Sequence, residues 1–134
     1  MNQENIRHFC VVVPWPHRYL SPNSRINWAA KAQIVQKARM TSRVLAKELF
    51  ADQDPAQPIE ERINVQLVLH PRDRRRRDED NIIASMKAYL DGIADAIGVN
   101  DAFFHFKELE HSYIKKTPEI EVWLTWNEGG ENGQ

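Results

Sequence analysis

Apolar and polar residues alternate along two segments of this chain. In residues 63–69 every second residue is apolar, namely Ile63, Val65, Leu67 and Leu69, and in residues 120–126 every second residue is again apolar. Alternation of this kind predicts strands with one buried face. The apolar, largely β-branched run at residues 9–13 predicts a third, more fully buried strand, which ends at Pro14-Trp15-Pro16.

Two longer segments instead repeat their apolar residues every three or four positions, and both predict helices. The first covers residues 27–50. In the second, at about residues 81–97, the recurring apolar residues are Ile83, Met86, Leu90, Ile93 and Ile97. The spacing predicts one helix, with Asp80 or Asn81 as its N-cap and Gly98 after its last residue.

With a further strand at about residues 103–114, the predicted order of elements is β-α-β-α-β-β. We expect a small single-domain α+β fold with a mixed sheet and two helices. The domain covers residues 1–126, and residues 51–61 predict a connecting loop because they contain prolines and acids without periodicity. The polar, glycine-rich residues 127–134 predict a disordered tail.

Length and composition exclude several classes of protein. A chain of 134 residues can form one domain with a hydrophobic core, and no stretch approaches the roughly 20 apolar residues of a membrane helix. The single cysteine, Cys10, permits no internal disulfide and no cysteine-rich zinc site. Because the N-terminus lacks the layout of a signal peptide, we expect a cytoplasmic protein.

The small net charge of −1 hides a strong segregation of charge along the chain. Residues 1–77 contain 14 Lys and Arg against 7 Asp and Glu, whereas residues 78–134 contain 4 against 12. Such asymmetry suggests a nucleic-acid partner, although salt bridges between the two halves would explain part of it.

The two kinds of charge meet in residues 71–81, where four consecutive arginines, Arg74 to Arg77, are followed directly by Asp78, Glu79 and Asp80. Adjacent arginines repel one another and gain nothing from a core, but together they attract phosphate. Carboxylates two positions apart, as in Asp78 and Asp80, can bind a hard divalent cation. The segment therefore predicts a site where a phosphate backbone is gripped beside a metal.

Hydrolysis of a phosphodiester needs a metal, carboxylates to hold it, and a cation for the charge that develops on the phosphate. Asp78 and Asp80 are the candidate ligands, and Asn81 is a candidate phosphate contact. Lys87 and Asp91 lie one helical turn apart, on the helix face that also carries Asp80. Each acid alone has a structural alternative, since aspartate caps helices and Lys87–Asp91 is an ordinary surface pair.

Other polar and aromatic residues favour structural interpretations. His105, Glu108, Glu110 and His111 form a second cluster, for which a half-exposed strand is favoured over a zinc site because Glu108 points to the opposite face. Trp15 and Trp28 could stack on exposed bases, but packing in a core or an interface is the favoured interpretation for both.

The chain resembles the RusA family of Holliday junction endonucleases, which are associated with phages and prophages. The likeness spans roughly residues 9–126. It is carried by the arginine–acid block, by Lys87-x-x-x-Asp91-Gly92-Ile93, by Gly98-Val99-Asn100-Asp101, by Pro14-Trp15-Pro16, and by Ser21-Pro22-Asn23-x-Arg25-x-Asn27-Trp28.

The resemblance implies a homodimer that uses Mg²⁺, with Mn²⁺ as a substitute, to cut four-way DNA junctions. By matching position, Asp78, Asp80 and Asp101 would be catalytic acids and metal ligands, and Lys87 the catalytic lysine. The residues expected to bind DNA are Arg72, Arg74, Arg75, Arg76, Arg77, Asn81, Arg25 and Lys31.

The sequence departs from the family pattern at two places. The interval from Asp80 to Lys87 is longer than in the best-known members by about one helical turn, and Ala84 occupies the shorter spacing. The family has two adjacent acids where this chain has Asn100-Asp101-Ala102.

A straight helix over residues 81–97 would be roughly 25 Å long and would place Asp80 and Asp101 at opposite ends. We therefore expect either that two protomers pair antiparallel and share each site, or that a shorter or bent helix closes the site within one chain. Two rival functions are a non-catalytic prophage DNA-binding protein with structural acids and a nucleotide-sugar enzyme. The chain is short for the second rival and has no glycine loop to hold phosphate.

Overall fold

The computed structural model of the chain describes residues 6–51 and 62–127. Most of the predicted connecting loop, at residues 52–61, and nearly all of the predicted tail, at residues 128–134, lie outside the described residues. In the described part, no helix is both long and apolar enough to cross a membrane.

The described residues form five strands and three α-helices. Their bounds are β1 (Ile6–Pro14), α1 (Trp28–Phe50), β2 (Ile63–His70), α2 (Glu79–Ser85), α3 (Lys87–Ile97), β3 (Phe104–Phe106), β4 (Glu110–His111) and β5 (Glu119–Asn127). Short 3-10 turns lie at Arg18–Leu20 and Asp101–Phe103.

The strands form one mixed sheet in the order β1-β5-β2-β3, with β4 also paired to β2. Strand β5 pairs antiparallel with β1 and β2, whereas β3 and β4 are both parallel to β2. The predicted α+β class with a mixed sheet is confirmed. The single strand predicted at residues 103–114 is wrong in detail, because two short strands there pair with different parts of β2.

The core lies between the sheet and the helices. Val11, Leu67 and Leu124 are fully buried on the face of the sheet that carries the alternating apolar residues. The strands predicted from alternation therefore lie as expected, with their apolar positions inside. Leu49, which shares the helical spacing of α1, is 45% exposed, and Phe50 is buried in its place.

Helices α1 and α3 pack closely because two small residues lie at their crossing. A Cβ atom on Gly92 would lie 2.2 Å from both the carbonyl oxygen of Arg39 and the Oγ of Ser42. Ser42 Oγ donates a 2.7 Å hydrogen bond to the carbonyl of Tyr89, which satisfies a buried hydroxyl between the helices. This contact fixes the position of α3 relative to α1, and so the position of the α3 residues that come after the arginine–acid segment in the sequence.

The second predicted helix is two helices, so the prediction of one helix is wrong. The backbone N–H of Met86 bonds to Ile83, three residues back, rather than continuing the α-helical pattern. Ser85 Oγ donates to the carbonyl of Asn81 at 2.7 Å, a contact that tends to bend helices. The break lets α3 follow the sheet while Met86 is fully buried in the core.

We predict that Gly92→Ala lowers the free energy of unfolding by about 1–3 kcal/mol or more, because the new methyl group meets a backbone carbonyl that cannot move alone. Urea unfolding measures the change. Gly98→Asn is the control: Gly98 has a φ of +73° with open space around its Cβ position, and asparagine accepts that conformation. Equal stability of wild type and Gly92→Ala would contradict the packing described for α1 and α3.

Candidate functional site

The loop that follows β2 is held together by Arg77. Its guanidinium donates to the carbonyls of Asp73 and Arg75 at 3.1 and 2.7 Å and to the carboxylate of Asp73 at 2.8 Å. The guanidinium also lies 5.4 Å from the ring centroid of Trp15, which packs against the core. Arg77 is therefore largely committed to the protein itself, with only 23% of its side chain exposed.

Asp73 completes this loop. Its carboxylate also accepts the backbone N–H of Arg75 at 3.0 Å. This hydrogen bond, with that of Arg77, lowers the pKa of Asp73 from its ordinary value. An ionised Asp73 thus neutralises part of the arginine row from within.

The other arginines of the row extend into solvent. Arg75 is 71% exposed and lies 3.7 Å from Asp73. Arg74 and Arg76 are exposed and, within residues 6–51 and 62–127, form no hydrogen bond or salt bridge. Arg72 is exposed in the same loop. These side chains are the cations available to a phosphate backbone.

The loop lines a cavity of about 930 Å³. Its lining includes Arg74, Arg75, Arg76, Arg77, Asp78 and Glu79 from this loop and the start of α2, and His111, Ser112, Tyr113 and Ile114 from β4 and the chain after it. We call this the arginine cavity. These arginines therefore line the same space as Asp78 and Glu79, whereas Asp80, the second predicted metal ligand, is not among the described residues that line it.

Asp78 is the N-cap of α2, and the prediction of Asp80 or Asn81 as N-cap is wrong. One oxygen of Asp78, Oδ1, accepts the backbone N–H groups of Asp80 at 2.9 Å and of Asn81 at 3.4 Å. Glu79 and Asp80 occupy the first turn of α2, where the helix dipole favours negative charge. All three acids are exposed.

Glu79 forms a contact that sequence reasoning missed. Its Oε2 lies 2.7 Å from Nε2 of His111, and both residues line the arginine cavity. His111 is placed there by β4, in register with Leu69 of β2. The sequence offered no local signal for this pair, because the residues are far apart in the chain and meet through a parallel strand pairing.

His70 anchors the start of the loop. It is 1% exposed, and its two ring nitrogens face the carbonyl of Tyr113 at 3.0 Å and the carboxylate of Glu121 at 2.5 Å. The end of β2 is thereby tied to β5 and to one wall of the arginine cavity.

Lys87 lies in a second cluster. Its Nζ is 3.5 Å from Asp91 and 3.7 Å from Asp101. The chain turns back after Gly98, which ends α3 in the left-handed conformation, and this return brings Asp101 to the start of α3. Asp101 is therefore not at the far end of a straight helix. Ala84 and Lys87 line one smaller cavity of about 310 Å³, which shares no lining residue with the arginine cavity.

The remaining predicted DNA contacts are spread around the start of α2. Asn81 accepts a 3.4 Å hydrogen bond from the side chain of Asn23, which brings residues 21–27 beside the capped helix. Lys31 Nζ lies 3.5 Å from the carbonyl of Ser21, and Arg25 is exposed. Asn81 thus belongs near the arginine cavity.

The carboxylates of α2 suit a hard cation by their chemistry. Mg²⁺ is commonly held by one or two carboxylates, with water and substrate phosphate completing its coordination. Asp78 keeps its Oδ2 free of protein donors in the described part of the chain, and Asp80 is exposed one residue further on. Among those same residues, no three His, Cys, Asp or Glu side chains are grouped to hold a metal. The donors fit an open site, and Asp101 as a third ligand stays a prediction.

Comparison with known proteins gives a relative without a described activity. No protein-family model matches the chain. An uncharacterized protein of Xylella fastidiosa (strain Temecula1 / ATCC 700964) is 31% identical over 115 residues, which are 86% of this chain and 74% of that protein.

The crystal structure of a thiamine-monophosphate kinase from Stenotrophomonas maltophilia K279a is similar over 93% of this chain, with 10% identity and a TM-score of 0.34. The chain spans 32% of that kinase, and a similarity this weak does not bear on function.

We predict that the His70–Glu121 contact makes stability depend on pH in the acid range. Hydrogen bonds from His70 and then Trp123 lower the pKa of Glu121 from its ordinary value of 4.5. A carboxyl with a lowered pKa stabilises the fold above its unfolded-state pKa, and this contribution is lost as the pH falls through the folded-state pKa. Glu121→Gln should lower the free energy of unfolding by about 1–3 kcal/mol at pH 7 and weaken its dependence below about pH 4.5.

The control for this measurement is Glu110→Gln, which changes an exposed glutamate of β4. It should retain the wild-type pH dependence in urea unfolding. Superimposable profiles for wild type and Glu121→Gln would show that the contact does not hold in solution.

Proposed function

The chain belongs to the same family as the Xylella fastidiosa protein, and we propose that it is a metal-dependent endonuclease that cuts branched DNA, with four-way junctions as its substrate. The observation that supports this most is the arginine cavity. There Arg74 and Arg76, which form no hydrogen bond or salt bridge with any described residue, line the same space as Asp78, whose Oδ2 accepts no hydrogen bond from those residues. Phosphate binding and cation binding are thus combined in one place.

The exposed arginines would bind the DNA backbone. Arg74 and Arg76 attract phosphate without breaking a hydrogen bond or salt bridge to any residue that the structure describes. Arg75 can turn from Asp73 at little cost because that contact is 3.7 Å long. Arg77 and Asp73 keep the loop in one conformation while Arg74, Arg75 and Arg76 bind phosphate. The number of phosphates bound therefore depends on Arg74, Arg75 and Arg76 more than on Arg77.

The acids at the start of α2 would hold the cation. Asp78 would use Oδ2, because Oδ1 caps the helix, and Asp80 would contribute its exposed carboxylate. A bound Mg²⁺ or Mn²⁺ would supply Lewis-acid polarisation of the scissile phosphate. The N-cap hydrogen bonds fix the backbone at both acids. Less conformational entropy is therefore lost when the cation binds.

Lys87 would stabilise negative charge that develops on the phosphate. It is 73% exposed, and its contacts with Asp91 and Asp101 hold the ammonium beside Ala84. The RusA pattern places its lysine where this chain has Ala84, and Ala84 and Lys87 line the same cavity of about 310 Å³, so we assign this role to Lys87. Asp101 would then position Lys87.

The resemblance to the RusA family also supports a homodimer that acts in the cytoplasm of a bacterial or phage-infected cell. A second candidate function is a DNA-binding protein without catalysis. One observation favours it: Asp78 has a complete structural role as an N-cap. Cleavage separates the two candidates.

The direct test incubates labelled four-way junctions and linear duplexes of equal length with the protein and Mg²⁺, and repeats this with a chelator. We expect cleavage of the junction alone, and only with the metal. Equal digestion of both DNAs would remove the preference for branched DNA. Binding without cleavage in Mg²⁺ and Mn²⁺ would favour the second candidate.

We predict that Asp78→Asn and Asp80→Asn each lower the cleavage rate at least 100-fold while junction binding stays equal or becomes tighter, because each change removes a cation ligand and a negative charge near phosphate. Asparagine caps a helix about as well as aspartate, so Asp78→Asn should leave the unfolding free energy nearly unchanged. The control variant is Glu110→Gln. Asp95→Asn, on α3, would be unsuitable because Asp95 forms a salt bridge with Arg39. Wild-type turnover in either aspartate variant would refute the assignment.

We predict that the arginines separate into two classes when changed singly to alanine. Arg74→Ala and Arg76→Ala should each reduce the salt-dependence slope of DNA binding by up to about 0.9, with unfolding unchanged, because each loses a phosphate contact. Arg77→Ala should destabilise the protein by about 1–2 kcal/mol, because it removes the contacts with Asp73 and Arg75. Binding isotherms over a range of salt concentrations, with urea unfolding of each variant, measure both effects. Identical behaviour of all three would contradict the division.

A further inference from the structure

Trp28 is the most exposed large apolar side chain in the described part of the chain. As the first residue of α1 it is 82% exposed, whereas Trp126 is 3% exposed and Trp15 packs against the core. Of the two kinds of packing favoured for Trp28, burial in a core is wrong, and packing in an interface stays a prediction. A solvent-exposed indole adds little to the stability of the fold. What Trp28 could bind is therefore inferred from the residues around it.

The position of Trp28 follows from how α1 crosses α3. Ser42 contacts Tyr89, and Arg39 contacts Asp95, so earlier residues of α1 meet later residues of α3. Helix α3 ends two residues after Asp95, at Ile97. Trp28 lies 11 residues before Arg39, about 16 Å along α1, on the same side of the helix. It therefore lies near the end of α3, in a cavity that it shares with Asp95, and most of the residue is exposed.

A row of cations runs along α1 from this indole. Trp28 shares a shallow cavity of about 670 Å³ with Lys31, Arg39, Arg43 and Asp95. Arg39 and Asp95 neutralise each other at 2.7 Å. Lys31 contacts only a backbone carbonyl, at 3.5 Å, and Arg43 forms no salt bridge to any residue that the structure describes. This surface therefore combines an exposed aromatic ring with a net positive charge, which comes from its lysine and arginine side chains.

We propose that Trp28 is a stacking platform for an unpaired nucleobase, with Lys31 and Arg43 binding the phosphates of the same DNA strand. An exposed ring beside a cationic row is the combination that binds single-stranded nucleic acid. A paired base inside a duplex has no free face, so the ligand is a strand with unstacked bases, as at the centre of a junction. The inference rests on the proposed function only in that the ligand is DNA.

A second copy of the chain is the other possible occupant, and charge argues against it. A two-fold contact over this surface would bring Lys31 and Arg43 of each protomer near the same residues of the other. Like charges opposed in this way are unfavourable, whereas phosphates are complementary to them.

The test measures binding of fluorescein-labelled single-stranded (dT)20 and of a blunt 20-base-pair duplex, in chelator so that no cleavage occurs. Trp28→Ala should weaken binding of (dT)20 roughly tenfold or more, and change duplex binding less than twofold. Trp28→Phe should restore most of the loss, because it keeps a ring. Val44→Ala, which shortens another exposed side chain of α1, should bind as wild type.

The fluorescence of Trp28 gives a second measurement on the same samples. Saturating (dT)20 should quench tryptophan emission in wild type, and in Trp28→Phe most of that quenching should be absent. Unchanged (dT)20 affinity in Trp28→Ala, or equal loss for single strand and duplex, would overturn the proposal. So would conversion of a dimer to a monomer by Trp28→Ala in sedimentation, which would identify a contact between copies.

The outcomes also separate this inference from the proposed nuclease. If Trp28 controls (dT)20 binding while no junction is cleaved in Mg²⁺ or Mn²⁺, the stacking platform stands and the nuclease fails. If junctions are cleaved and Trp28→Ala binds (dT)20 as wild type, the nuclease stands and the platform fails.

Discussion

Four adjacent arginines repel one another, and the loop that carries them keeps its shape because Arg77 bonds back to Asp73 and to two backbone carbonyls. The same loop begins at His70, a buried imidazole bonded to β5 and to the wall of the arginine cavity. These two contacts set where the remaining arginines point. They also place Asp78 at the start of α2, because the chain between the two anchors is short. The electrostatics of the site thus depend on one arginine and one histidine that act within the protein.

The contacts of Lys87 with Asp91 and Asp101 depend on a different constraint, which is the packing of α3 against α1. Gly92 lets the helices approach until Ser42 reaches the backbone of α3. With α3 fixed there, the chain that leaves Gly98 returns along it, and Asp101 meets Lys87. The break at Met86 separates this cluster from the arginine cavity while leaving both on consecutive helices. The break at Met86 replaces the single straight helix expected from the sequence, and a site that Asp80 and Asp101 share stays a prediction.

Much of the fold follows from periodicity, because burial of one face leaves a repeat in the sequence. The apolar alternation of β2 and β5 and the helical spacing of α1 were sufficient for those elements. Features that arise from contacts distant in sequence could not be predicted: β3 and β4 are short and owe their pairing to β2, and the bend at Met86 depends on Ser85 bonding to Asn81. In the site, the arginines and acids were evident as a charge pattern. The Glu79–His111 contact and the exposure of Trp28 depend on tertiary packing, which one sequence does not reveal.

The most direct test of the account is where a divalent cation binds. Mn²⁺ broadens the NMR signals of nearby amides, so titrating isotope-labelled protein with Mn²⁺ shows the position of the ion without any assay of activity. We expect the amides of residues 78–81 to broaden first, then those of residues 111–113, which line the arginine cavity, and Asp78→Asn to weaken the effect. Broadening that begins at Asp91 and Asp101, or that is uniform over the protein, would contradict the assignment of Asp78 and Asp80 as the metal site.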